Sequence, residues 1–384
     1  MKESKILEKI DKKSSVELLR KLIRIITTNP PAEEIRLARY VADFLRKCGL
    51  KTELLPFGDK RANVAARIKG TGEMPSLIYS AHFDTVPVGK IPWEFDPFSG
   101  VVHENRIYGR GAADMKGGMA AMMKAAQILA QSKVSLKGDL ILAFTSGETS
   151  DLVGAWKLIR AKKLVDAGAV LVGEPTELNV YTAEKGALWL KTTTYGKTAH
   201  GSMQEYGENA ILNMIEFLSK IKDFNFGVKP HPLLGRPTLS IGKISGGVLI
   251  NIVPDLCEAL LDVRYLPEQD PKELFSSLKE IGKPKVKMEI IGDPKPPVET
   301  DPNSPFAKTA LEVVDKITGQ KHQIGGAPYF TDAAVLANEL KIPAVIIGPA
   351  KTWMTHQPNE YVEISNFLNA IKIYILFAMR YLGS

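Results

Sequence analysis

Two histidines and four acids stand out in this 384-residue chain as a set that could do chemistry together: His82, Asp84, Asp114, Glu148, Glu174 and His356. Imidazole nitrogen and carboxylate oxygen suit zinc, cobalt or manganese. A catalytic ion of that kind takes about three protein ligands and leaves one position for water. Two such ions about 3.5 to 4 Å apart would need a bridging carboxylate, and together they can polarise a carbonyl and turn water into hydroxide near neutral pH. Cysteine is represented only by Cys48 and Cys257, so a disulfide framework and a thiolate-rich metal site are both excluded. Any metal must be held by histidine and carboxylate.

Each residue also has an ordinary explanation. Asp114 could cap the helix that follows it, Glu174 before Pro175 could sit in a surface turn, and a lone histidine is more often structural than a ligand. Against this, the chain has only six histidines, and His82 and His356 both fall just beyond expected strands, beside acids. One site assembled from distant pieces is the economical reading.

The elements that must position these residues are short apolar runs. Residues 77–81 read as a buried strand that delivers His82 and Asp84 where the apolar pattern stops. Runs at 140–144, 169–172 and 344–347 empty in the same way into Glu148, into Glu174 and, after a short loop, into His356. Further strands are expected at 52–57 and 63–68. Ser14-Ser-Val-Glu17 has the form of a capping box, opening a helix that should stop before Asn29-Pro-Pro31. A second helix is expected over 32–48, closed by Gly49. The Ala- and Met-rich segment 115–129 should be a buried helix, its methionines serving as packing. Gly109-Arg-Gly111 invites a dinucleotide-binding reading. The third fingerprint position is Asp114, however, and no acid lies near the ribose position, so that reading is set aside. Buried strands alternating with helices predict an α/β fold with a mostly parallel central sheet, whose ligands sit beyond the carboxyl ends of the strands.

Between 181 and 292 the rhythm changes. Strands at 187–195, 238–244, 257–265 and 286–291 and helices at 208–221 and 271–281 follow the order β-α-β-β-α-β, a ferredoxin-like α+β domain inserted into the first. The Pro-rich 292–297 segment serves as a return hinge. This predicts a discontinuous first domain, 1–180 with 293–384, and an inserted second domain, 181–292. Helices near 306–318 and 364–381 complete the first.

Composition limits the alternatives. The net charge of +7 is spread along the chain instead of being collected in a block, which argues against a nucleic-acid partner. No stretch is long and apolar enough to span a bilayer, and the N-terminus lacks the apolar core of a signal peptide, so a cytoplasmic protein is expected.

The strings Ala81-His-Phe-Asp-Thr-Val-Pro-Val88, Gly109-Arg-Gly-Ala-Ala-Asp-Met-Lys-Gly-Gly118, Gly173-Glu-Pro-Thr176 and Thr355-His-Gln-Pro-Asn-Glu360 resemble the signature motifs of the M20 metallopeptidase family, in the same order along nearly the whole chain. That family includes acetylornithine deacetylase, succinyl-diaminopimelate desuccinylase, aminoacylase and carboxypeptidase relatives. The resemblance implies that 1–180 with 293–384 is a zinc-aminopeptidase-like catalytic domain and that the inserted domain, 181–292, is a lid through which a homodimer forms. It implies that His82 and Glu174 bind one metal, that Asp114 bridges, and that His356 belongs to a second. Asp84 would hold the His82 ring in the tautomer that leaves its other nitrogen free for metal. Gly196-Lys-Thr-Ala-His-Gly-Ser202 resembles the segment whose histidine reaches a partner subunit's site, which makes His200 an oxyanion donor in trans. Asn251 and Arg264 resemble substrate-holding positions, Arg264 gripping a carboxylate.

One departure bears on the metal count. The family usually carries two consecutive acids after the third strand, a general base and then a metal ligand, whereas this chain has Gly147-Glu148-Thr149. An ungapped reading makes Glu148 the base and puts Thr149 at the ligand position. A shifted reading makes Glu148 the ligand and leaves Gly147 without a base. The first is adopted, with Asp151 as a substitute ligand, because a hydrolase runs on one metal with a good base more readily than the reverse. The expected activity is metal-dependent hydrolysis of the amide bond of an N-acyl amino acid, with one or two Zn2+, Co2+ or Mn2+ ions per subunit. A dipeptidase or carboxypeptidase is the alternative within the same chemistry, and a binding protein that kept the fold after losing the paired acid is the alternative outside it.

Overall fold

A computed structural model describes residues 3–383, the side chain of Ser150 excepted. The chain forms two compact units, one of Met1–Ala183, Val298–Ala327 and Thr331–Ser384, the other of Glu184–Pro297 with Pro328–Phe330.

The first unit is built on a mixed sheet. Its strands run in the order Lys51–Phe57, Arg61–Ile68, Leu140–Thr145, Ser76–His82, Ala167–Val172, Ala344–Ile346, Val180–Glu184 and Val298–Glu299, and Ile324–Ala327 pairs off this path with Val180–Glu184. The four strands from Leu140–Thr145 to Ala344–Ile346 are mutually parallel. The two at the first edge are antiparallel additions. Ser76–His82 and Leu140–Thr145 are buried at every position, as strands covered on both faces must be, which is why they read as unbroken apolar runs. Because the central strands are parallel, their carboxyl ends share one edge. His82 lies opposite Thr145 in the register, and the loops bearing Glu148 and Glu174 leave from the same edge.

Helix Lys116–Gln131 is buried nearly all round, as an Ala-, Gly- and Met-rich segment can be, and Met119, Met122 and Met123 sit in the core as expected. Its start is drawn tight against the Glu174 loop by glycine. A Cβ on Gly118 would collide with the main-chain oxygen of Gly173, and one on Gly348 with that of Glu174.

The N-terminal segment differs from expectation. Helix Lys12–Arg24 is capped by Asp11, whose Oδ1 accepts the Ser14 N–H at 2.8 Å. Asp11 lies three residues before Ser14, offers the same geometry with a formal charge, and displaces the Ser14 capping box. The helix ends at Arg24, before Asn29 as expected, and the chain then pairs with the segment after His82. Thr85 N–H donates to the Thr27 carbonyl at 2.9 Å and Asn29 N–H to that of Thr85 at 2.8 Å.

In the second unit a four-stranded antiparallel sheet runs Thr238–Gly246, Leu256–Tyr265, Gly186–Tyr195, Val286–Ile290. With strands counted in chain order this is 2-3-1-4, the ferredoxin-like arrangement. Helices Ala210–Ile221 and Pro271–Gly282 share its core through Met214, Phe217, Ile221, Leu274 and Leu278, packed with Leu188, Leu190 and Leu261. Among the described residues no helix is long and apolar enough to cross a membrane.

Candidate metal centre and active site

His82 is the last residue of its strand and is buried. Its Nδ1 lies 2.8 Å from the main-chain oxygen of Asp84. A carbonyl can only accept, so Nδ1 carries a proton and Nε2 is the nitrogen turned toward the acids. Around Nε2 stand Asp114 Oδ1 at 3.1 Å, Glu174 Oε1 at 3.1 Å and Glu148 Oε2 at 4.0 Å. The other Asp114 oxygen is 3.2 Å from His356 Nε2.

Electrostatics show what this cluster of groups is suited to hold. Burial opposes a charge on His82, but Glu174, Asp114 and Asp84 outweigh it and hold the ring well above its ordinary pKa. Burial pushes Glu174 up to about 7, with Asp114 adding to the effect, and it drives Glu148 well above its ordinary range, with Glu174 and Asp332 reinforcing it. For Asp114 burial is overcome by hydrogen bonds from His356 and His82, which lower it. Two carboxylates aimed at one ring nitrogen call for positive charge there, either a proton on Nε2 or a cation in its place. A divalent cation answers that demand and would return the buried acids to their ionised forms. The donor set therefore fits a metal ion.

Asp84 acts differently from expectation. Its main-chain oxygen sets the His82 tautomer, while the carboxylate approaches Nδ1 only to 3.6 Å. That carboxylate instead gathers the next loop. Oδ1 accepts the N–H groups of Gly147 at 2.8 Å and Glu148 at 3.2 Å, and Oδ2 accepts the Thr149 N–H at 3.0 Å and hydroxyl at 2.7 Å. Asp84 thus positions the backbone that carries Glu148. Asn29 Nδ2 donates to the Thr149 hydroxyl at 3.3 Å. Asp151 points elsewhere, its Oδ1 accepting the Val153 N–H at 3.3 Å and its Oδ2 lying 4.0 Å from Arg61 Nη1.

Four residues were not singled out from the sequence. Asp332, just before helix Ala333–Leu340, accepts from the Thr145 hydroxyl, and burial raises it to about 6. No helix was expected there, so nothing marked the residue. Glu360 and Arg110 form a buried ion pair. Glu360 Oε1 also accepts the N–H groups of Gly111 at 3.0 Å, Ala113 at 2.8 Å and Asp114 at 3.1 Å. Arg110 Nη2 lies 3.4 Å from the main-chain oxygens of Pro87 and His356. Both residues lie inside strings already quoted, but which string touches which is not written in either. Lys116 donates to the Leu22 and Ile25 carbonyls at 3.1 and 2.8 Å, and burial lowers it to about 7.

His200, Asn251 and Arg264 belong to the second unit. His200 is exposed, its Nδ1 2.8 Å from the Ser202 hydroxyl, and Gly201 N–H donates to the Asn251 carbonyl at 2.8 Å. The Arg264 guanidinium donates to Asp262 through Nε and Nη2 at 3.1 and 3.0 Å and lies over the Phe330 ring.

The model of the peptidase family M20/M25/M40 matches residues 78–380. A protein of Staphylococcus aureus (strain MRSA252) named "Probable succinyl-diaminopimelate desuccinylase" is 31% identical over 406 residues, covering 96% of this chain and 98% of its own. The acetylornithine deacetylase of Proteus mirabilis is 29% identical over 370 residues, covering 91% and 92%. A crystal structure of an M20 family metallo-carboxypeptidase from Sulfolobus solfataricus superposes with a TM-score of 0.82 at 24% identity, over 96% of this chain and 99% of that one. At that identity the last likeness speaks for the fold alone.

Proposed function

The chain belongs to peptidase family M20/M25/M40 and is a metal-dependent hydrolase of amide bonds, and from that premise we propose that it removes the acyl group of N-acyl amino acids of the acetylornithine or succinyl-diaminopimelate type. The observation that carries this reading is the placing of Glu148 Oε2 4.0 Å from the same His82 nitrogen on which Asp114 and Glu174 converge. A buried acid beside an ion pocket is where a general base belongs.

In this reading His82, Glu174 and Asp114 hold a divalent ion, with His356 at the far oxygen of Asp114. Such an ion supplies Lewis acidity toward the scissile carbonyl and toward water. Glu148 takes the proton of the attacking water and hands it to the departing amine. Burial suits it to this role, since it favours the protonated form that must exist between the two transfers. Asp84 keeps Glu148 in place through the loop N–H groups. From the motif resemblance, His200 is assigned as oxyanion donor supplied by a partner subunit, Arg264 as the group that receives the substrate carboxylate, and Asn251 as a further substrate contact. Zinc is the assigned ion, with cobalt or manganese as functional replacements. The same reading takes the enzyme to work in the cytoplasm as a homodimer through the second unit. Exposed Leu212 and Ile215 and the edge strand Thr238–Gly246 support the dimer.

The test is a metal-loaded activity screen over acetylornithine, succinyl-diaminopimelate, other N-acyl amino acids and dipeptides, run beside Glu148→Gln. Acyl amino acids should be cleaved fastest, and Glu148→Gln should bind metal normally with turnover reduced at least about 100-fold. Preference for dipeptides or for C-terminal residues of peptides would move the enzyme to the peptidase branch. Full activity in Glu148→Gln would remove Glu148 as the base.

A further inference from the structure

Ion-binding atoms are not shared evenly between the two ends of the Asp114 carboxylate. At one end His82, Glu148 and Glu174 offer ligand atoms within 4.8 Å of one another, the one such group of three among the described residues, and Asp114 Oδ1 stands 3.1 Å from His82 Nε2. At the other end Asp114 Oδ2 meets His356 Nε2 at 3.2 Å, and the His356 side chain is 57% exposed. Thr149 offers this end nothing comparable. Its hydroxyl donates to Asp84 Oδ2 at 2.7 Å and accepts from Asn29 Nδ2 at 3.3 Å, and its main-chain N–H is also spent on Asp84. A neutral hydroxyl engaged on both sides is a poor substitute for the imidazole and carboxylate ligands that ions of this class take.

We infer that this chain holds one divalent ion tightly, at the His82–Glu174 end, and that a second ion at the His356 end is held far more weakly, because Thr149 is committed to Asp84 and Asn29. The inference rests on the metal-dependent reading above and specifies its stoichiometry. Thr149 is then part of the support for the Glu148 loop and has no share in an ion.

The experiment is a titration of the metal-free full-length chain with Zn2+, and in parallel with Co2+ followed by its visible absorption, with bound ion per chain measured by equilibrium dialysis. One equivalent should bind tightly and a second at least about 100-fold more weakly, since loss even of a ligand's outer partner costs 10- to 100-fold in affinity. His82→Ala and Glu174→Gln should abolish the tight equivalent, and His356→Ala should keep it. Thr149→Glu should tighten the second ion by about 10-fold or more, by the same scale. Two ions of comparable affinity in the unmodified chain, loss of the tight ion in His356→Ala, or a second ion no tighter in Thr149→Glu would each overturn the assignment. Should Thr149→Glu fail to fold, the unmodified chain and His356→Ala decide the matter. A chain that binds one ion tightly but cleaves no acyl amino acid leaves the stoichiometry standing and refutes the proposed reaction instead.

Discussion

Replacing Glu360 with glutamine tests whether the Asp114 and His356 loops form one hydrogen-bonded body. Glu360 is fully buried, its Oε1 takes three main-chain N–H groups from Gly111, Ala113 and Asp114, and its other oxygen pairs with Arg110. Glutamine keeps the shape and retains one oxygen for the three N–H groups. Its amide nitrogen must then face the Arg110 N–H groups, donor against donor, and Arg110 is left as a buried charge without its partner. Breaking a buried pair from one side costs about 3–5 kcal/mol. Disturbing the outer partners of metal ligands costs about 10- to 100-fold in activity or metal affinity. Glu360→Gln should therefore fold with a markedly lower Tm, lose turnover by about 10- to 100-fold, and bind its ion less tightly. The decisive assay is a double-mutant cycle with Arg110→Met, read by chemical denaturation. If the orphaned guanidinium is the source of the loss, the double variant should be more stable than Glu360→Gln alone. A double variant as unstable as the sum of the two singles would refute the reasoning, because the two residues would then be acting independently.

Asp84→Asn should abolish turnover by about 100-fold or more while retaining the ion, because the His82 tautomer is held by a main-chain carbonyl and only the Glu148 loop depends on the carboxylate; loss of the ion, by metal analysis, would return the tautomer to the carboxylate. Gly118→Ala should destabilise by about 3 kcal/mol or more through collision with the Gly173 backbone, measured as a fall in Tm or in soluble yield. Acid sensitivity should have an identifiable contributor in Glu3, whose carboxyl the Arg380 hydrogen bond first and then Lys316 lower from 4.5 to about 2. The folded pKa lies below the unfolded one, so this stabilisation is complete above about pH 4.5 and fades as pH falls toward 2. Tm should accordingly drop less steeply on acidification in Glu3→Gln than in the unmodified chain.

Much of the frame was legible because buried parallel strands and amphipathic helices write their periods directly into sequence. The runs ending in His82, before Glu148 and before Glu174 became adjacent strands, and the ferredoxin-like order of the second unit came out complete. Capping was less legible. Asp11 and Ser14 both have the chemistry of a cap, and the choice depends on which backbone N–H the folded chain presents. The stop of the first long helix before Asn29 was legible, but the pairing of Thr27 and Asn29 with Thr85 that follows it, far apart in sequence, was not.

What the sequence determined by itself is the inventory of the site: imidazoles and carboxylates at strand ends, too little cysteine for any other kind of metal centre, and a threonine where a second acid would stand. Tertiary structure decided the division of labour. Asp84 and His82 are two residues apart, so their connection was readable, but the atom that makes it is a main-chain oxygen. The carboxylate went instead to residues 147–149, brought alongside by the register of parallel strands. Glu360 reached Arg110 and the Asp114 loop across about 250 residues, as the Arg110 pair shows. Side-chain identity is local and can be read. Which buried donor an acid satisfies is settled only when distant segments compete for it, since most buried polar groups find a partner among those that the fold brings within reach.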